Sequence, residues 1–181
     1  MAKLVSKVYG DALFSLALEE GNLDEVWQEV KLLDKVISDN PKLLAVIAHP
    51  DMTKVKSKEL VERLFKGKLS DNVMGFLNVI IQKGRFGDIK SILDYFQSEA
   101  KKYKKIGVVY VTTPTGLSEQ QKAAVVSKLK ECSEYEDLEM NYIIDKSVLG
   151  GMRIRLGDRV MDNTIQRKLS DMSRSLGKIR I

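Results

Sequence analysis

Cysteine occurs once in the chain, at Cys132, and histidine once, at His49. A single cysteine excludes an intramolecular disulfide and fits a reducing compartment. A single histidine, before a proline and with no Cys, Asp or Glu cluster at ligand spacing, excludes the usual zinc frameworks. No apolar run approaches the ~20 residues that a membrane span needs, so no membrane insertion is expected. No G-x-x-x-x-G-K-[ST] occurs, and Gly150-Gly151 precedes a strand pattern rather than a helix, the wrong context for a phosphate cradle. Met1-Ala2-Lys3 leads almost directly into a helical pattern, so no signal or transit segment is expected. Cys132 falls on the apolar stripe of its helix and reads as core rather than nucleophile. The expectation is therefore a chain without catalytic residues, cofactor or metal.

What is present suits one or two packed domains: 181 residues, 44% of them apolar. The net charge of +5 is scattered and reads as a solvated surface rather than a nucleic-acid footprint. The first hundred or so residues are helix after helix. Lys3 to Glu20 ends at Gly21, and Asn22 with Glu25 spells a capping box for a helix carrying Val26, Val30, Leu33 and Ile37. Trp27, beside that stripe, reads as a packing residue at the bundle's edge. Asn40-Pro41 opens a third helix, closed by His49-Pro50. A fourth turns Leu60, Val61, Leu64 and Phe65 inward, and a fifth runs from Ser70 to Gly84. The sixth, from Asp88, puts Ile89, Ile92, Leu93, Phe96, Ala100 and Tyr103 on one face. Short connections imply antiparallel neighbours, hence a six-helix bundle over residues 1–105.

After Lys105 the period changes to two. Val108 and Tyr110 oppose Val109 and Val111, and Ser118 with Gln121 caps a helix carrying Val125, Leu129 and Cys132. Leu138, Met140, Tyr142 and Ile144 alternate as a second strand. Met152, Ile154 and Leu156 then alternate with Arg153 and Arg155, and Gly157-Asp158 supplies a hairpin turn. Asp162 or Asn163 caps a last helix, Asn163 with Gln166 at capping-box spacing, with Ile165, Leu169, Met172 and Leu176 on one stripe and Gly177 as its stop. The order β-α-β-β-β-α gives a small α/β domain over residues 106–181, its helices covering one face of a sheet. The whole chain is thus expected to be α+β with two domains.

One feature does not fit a simple bundle. On the first helix Val5, Val8, Tyr9, Ala12, Leu13, Leu16 and Ala17 span roughly 180°, with Phe14 and Leu18 outside even that arc. One-sided packing needs only a stripe of about 100°. On the fifth helix Phe76, Leu77, Ile80 and Ile81 form a core face, while Val79 and Phe86 point the other way and Gly75 lies one turn before Val79. Periodicity alone leaves two readings open: helices buried all round, or a groove for a partner's amphipathic helix.

Asp145, Leu149-Gly150-Gly151, Gly157-Asp158, Val160, Asp162 and Leu169, in this order and spacing, resemble the C-terminal signature of the delta subunit of bacterial F-type ATP synthases, whose mitochondrial counterpart is the oligomycin-sensitivity-conferring protein. Lys146, where proline is frequent, and Asn163-Thr164, where a small residue precedes Ser or Thr, are departures. Tyr9-Gly10-Asp11-Ala12-Leu13-Phe14 is similar to the family's opening helix. Gly84-Arg85-Phe86 resembles its asparagine-glycine-arginine-leucine segment, with Lys83 and Phe86 departing. The resemblance implies a non-catalytic subunit of the peripheral stalk at the cytoplasmic face of the bacterial membrane. Its N-terminal domain would hold the N-terminal helix of an alpha subunit between the first and fifth helices, with Val5, Tyr9, Ala12, Leu16, Gly75 and Val79 at the interface. Its C-terminal domain would meet the C-terminal region of the b subunits.

Two other classes compete. A basic RNA-binding adaptor would use Arg153 and Arg155 and the run Lys101-Lys102-Tyr103-Lys104-Lys105, but that strand lacks the interleaved aromatics of a base-stacking sheet. A small transferase would need a nucleophile or phosphate loop, and neither is found.

Overall fold

A computed structural model describes residues 2–47, 52–65 and 67–178. Among them are eight α-helices and one four-stranded sheet, an α+β arrangement. The chain divides into two compact units, Met1–Ala100 and Lys101–Ile181.

The first unit contains α1 (Ala2–Glu19), α2 (Leu23–Asp39), α3 (Pro41–Ile47), α4 (Lys54–Phe65) and α5 (Asp71–Gln82), then a 3-10 turn at Phe86–Asp88 and most of α6 (Ile89–Tyr103). Its core follows the helical spacing: Val26, Val30, Leu33 and Ile37 on α2, and Ile89, Ile92, Leu93, Phe96 and Ala100 on α6, are all buried. Each fully buried Leu, Ile or Phe contributes about 1.5–3 kcal/mol. Trp27 is itself buried rather than at an edge, with the Lys31 ammonium 4.0 Å over its ring.

Four expectations fail here for local reasons. The Asn22–Glu25 box does not form: α1 ends in a Schellman motif, with Gly21 at φ +68° and the Asn22 amide donating to the Ala17 carbonyl, and the Asn22 side chain turns to Glu20 instead. Phe86 is buried, not outward. Gly84, at φ +67°, ends α5 in a second Schellman motif, so helical periodicity stops and the chain folds Phe86 back under the bundle. Leu64 is exposed because α4 buries only the Ser57, Val61, Phe65 row. Tyr103 is 61% exposed, since the buried stripe of α6 ends at Ala100. The predicted stop at His49-Pro50 lies outside the described residues.

The second unit contains β1 (Ile106–Thr113), α7 (Glu119–Cys132), β2 (Asp137–Ile144), β3 (Arg153–Leu156), β4 (Arg159–Asp162) and α8 (Ile165–Lys178). The sheet order is β2-β1-β3-β4, with β1 parallel to β2 and the other pairs antiparallel. On β1, Val109 and Val111 are fully buried while Val108 and Tyr110 are half-buried. Register puts Val109 between Met140 and Leu156, and Val111 beside Ile154. Val125 and Leu129 of α7 close this core. The Ser118–Gln121 capping box at the start of α7 is formed as predicted.

Here too the structure corrects the reading. Among the described residues of the two helices, Val125 and Leu129 of α7 pack on the sheet, while Ile165, Leu169 and Met172 of α8 are exposed. Cys132 is exposed, because the buried stripe of α7 ends at Leu129. Thr164, rather than Asp162 or Asn163, caps α8, its hydroxyl accepting from the Arg167 amide at 3.3 Å. Gly177 does not stop α8, which continues to Lys178. The Leu176 side chain lies outside the described residues.

Candidate functional site

Concentrated chemistry is missing among the described residues: no group of His, Cys, Asp and Glu could hold a metal ion. His49 lies outside them. What the fold offers instead is apolar surface in two places.

The first is on α1 and α5. The buried row of α1 is Ser6, Gly10, Leu13 and Ala17, so this helix is not buried all round. One flank faces α6. Phe14 meets Phe96 edge-on with centroids 6.3 Å apart, and the Tyr95 hydroxyl donates to Asp11 Oδ1 at 2.9 Å. The Tyr95 ring lies so close over Gly10 that any Cβ there would collide with it. Partial burial, then the bond to Asp11, push the Tyr95 hydroxyl up to about 12. On the opposite flank Val5 and Tyr9 are half-buried and Ala12 and Leu16 exposed, with Val8 and Leu4 farther out.

On α5, Val73, Phe76, Leu77, Ile80 and Ile81 are buried, while Gly75 is exposed and Val79 is 46% exposed. A Cβ at Gly75 would meet nothing within 4 Å, so internal packing does not require glycine there. The start of α5 is fixed by Glu29 of α2, which accepts from the Ser70 amide at 2.9 Å and its hydroxyl at 2.8 Å. The Asn72 side-chain amide donates to the Glu20 carboxylate, joining the C-terminal end of α1 to the first turn of α5. Glu20 is one turn on from Leu16, and Asn72 precedes Gly75 and Val79 by one and two turns. The link sets the end of α1, one turn on from Leu16, beside the first turn of α5, one turn before Gly75.

The second place is the root of α8. Gly151 sits at φ +82°, and a Cβ there would collide with the Asn163 carbonyl; a Cβ on Gly150 would come within 2.6 Å of Ile165 Cδ1. The two glycines let the loop clasp the chain entering α8. The Asn163 amide donates to the Met152 carbonyl and the Ile165 amide to the Gly150 carbonyl, both at 3.0 Å. Asp162 accepts from the Thr164 hydroxyl (2.7 Å), the Thr164 amide (3.1 Å) and Arg153 Nε (3.1 Å). The Thr164 hydrogen bonds, then Arg153, hold its carboxyl below the usual range. Hydrogen bonds from Ser147 do the same for Asp145.

This clasp launches α8 with Ile165, Leu169 and Met172 outward. Beside its root an open groove of about 530 Å³ runs between α7 and β3–β4, lined by Ala124, Leu129, Cys132, Met152, Ile154 and Met161. Sequence reading missed the exposure of α8. The available signal was the strict 4-3-4 spacing of its apolar positions, the narrow seam of a coiled coil rather than the wider face of a helix lying on a sheet. Neither arginine of β3 suits a phosphate clamp, since Arg153 binds Asp162 and Arg155 stacks 4.7 Å over the Tyr110 ring.

Comparison with known proteins bears on all of this. The family model described as ATP synthase delta (OSCP) subunit matches residues 5–176. The chain is 46% identical over 181 residues to an ATP synthase subunit delta of Lachnoclostridium phytofermentans, covering 100% of both. It is 31% identical to one of Halalkalibacterium halodurans, covering 95% of this chain and 94% of that one. In fold it is similar to a chain of the Toxoplasma gondii mitochondrial ATP synthase hexamer, with a TM-score of 0.73 at 19% identity over 94% of this chain and 96% of that one. With the family model spanning nearly the whole sequence and a full-length relative at this identity, the chain belongs to the ATP synthase delta (OSCP) subunit family.

Proposed function

We propose that the chain is a non-catalytic stator subunit, the part of the peripheral stalk that keeps the catalytic head of an F-type ATP synthase from turning with the rotor. In this reading residues 1–105 act as one six-helix bundle that holds the N-terminal helix of an alpha subunit between α1 and α5. Residues 106–181 meet the C-terminal region of the b subunits. The complex sits at the cytoplasmic face of the bacterial membrane, and this chain is held there through its partners: no helix among the described residues is long and apolar enough to cross a bilayer.

The observation that carries the reading is the open apolar pair of rows, with a glycine at position 75 that the chain's own packing does not require. A glycine facing solvent in a helix interior is destabilising by roughly 1 kcal/mol relative to alanine. Close approach of a second backbone accounts for keeping it. The test is Val79→Asp. Position 79 is half-exposed, so the free protein should melt within a degree or two of the parent, while an incoming helix would desolvate an unpaired carboxylate at several kcal/mol. Titration calorimetry with a peptide copying the alpha subunit's N-terminus should show no binding. Lys35→Asp, on the exposed side of α2, is the control, since Lys31 is already committed to the Trp27 ring. A Val79→Asp protein that stays folded and binds normally refutes the groove.

A further inference from the structure

We draw no further inference here: the strongest candidate, the open apolar groove of about 530 Å³ between α7 and β3–β4 with the exposed seam of α8 at its side, carries nothing, since nothing in the structure shows what covers it.

Discussion

Replacing Gly151 by alanine should damage the C-terminal unit more than any other single methyl added to it, and the size follows from the loop geometry. Gly151 sits at φ +82°, where an L-residue is strained by about 1–2 kcal/mol. Its new Cβ would also meet the Asn163 carbonyl, a backbone atom that cannot rotate aside as a side chain would. Moving that carbonyl strains the two 3.0 Å bonds of the clasp, Asn163 to Met152 and Ile165 to Gly150, each with a net value of about 1 kcal/mol. The combined loss is about 3–4 kcal/mol, of the order of 15 °C in melting temperature for a unit of this size. Gly157 is the comparison. It also has positive φ, +57°, but a Cβ there meets only the Tyr135 hydroxyl at 3.7 Å, so Gly157→Ala should lose about 1 kcal/mol. Urea melts separate the units. Trp27 is the sole tryptophan and belongs to the first unit, so its fluorescence should keep its midpoint while far-UV circular dichroism gains an early transition. Equal losses at 151 and 157, or a Trp27 transition displaced as far as the dichroism, would refute the clasp.

Three further outcomes are expected. Gly10→Ala should destabilise the first unit by about 1–2 kcal/mol, read by Trp27 fluorescence, because displacing the Tyr95 ring outweighs the helix propensity that alanine gains. Glu29→Ala should cost about 1.5–3 kcal/mol and speed amide exchange at the start of α5, where the Ser70 amide and hydroxyl lose their charged acceptor. Asp145 and Asp162 titrate below their ordinary range, so their stabilisation is complete above about pH 4 and is lost as pH falls through the lowered values. An acid titration of the C-terminal unit by circular dichroism should show this loss, and Asp162→Asn should flatten it.

How far the sequence was legible depends on whether a local rule stayed local. The stripe of α2, that of α6 as far as Ala100, the alternation of β1 and the Ser118–Gln121 box each depend on neighbours a few residues away, and the structure has all of them. Asn22 was misread because the preceding helix had already claimed its backbone through Gly21. Phe86 was misread because Gly84 ended the helix whose period was being counted. Thr164 displaced Asn163 as a cap because Asp162 and the Gly151 loop fix where the chain turns into α8. The largest miss, the exposed stripe of α8, has a different origin: amphipathic spacing says that a face is to be covered, not that the same chain covers it. The candidate rows on α1 and α5 were visible as surplus apolar positions, but telling surplus from all-round burial required knowing that α6 takes the Phe14 flank and leaves the Tyr9 flank open.

The place of β1 in the sheet has a consequence for how the chain folds during synthesis. In the first unit the last helix closes on the first, Tyr95 on Asp11 and Phe96 on Phe14. β1 is an interior strand: α7 and β2 follow it in the chain, but its other edge waits for β3, which comes after β2 and the connection of residues 145–152. Until then the unpaired edge of β1 is an open template for another nascent chain. A chain cut after Ile144 would hold that state permanently, with a folded helical unit attached to a half-built sheet that pairs with its neighbours.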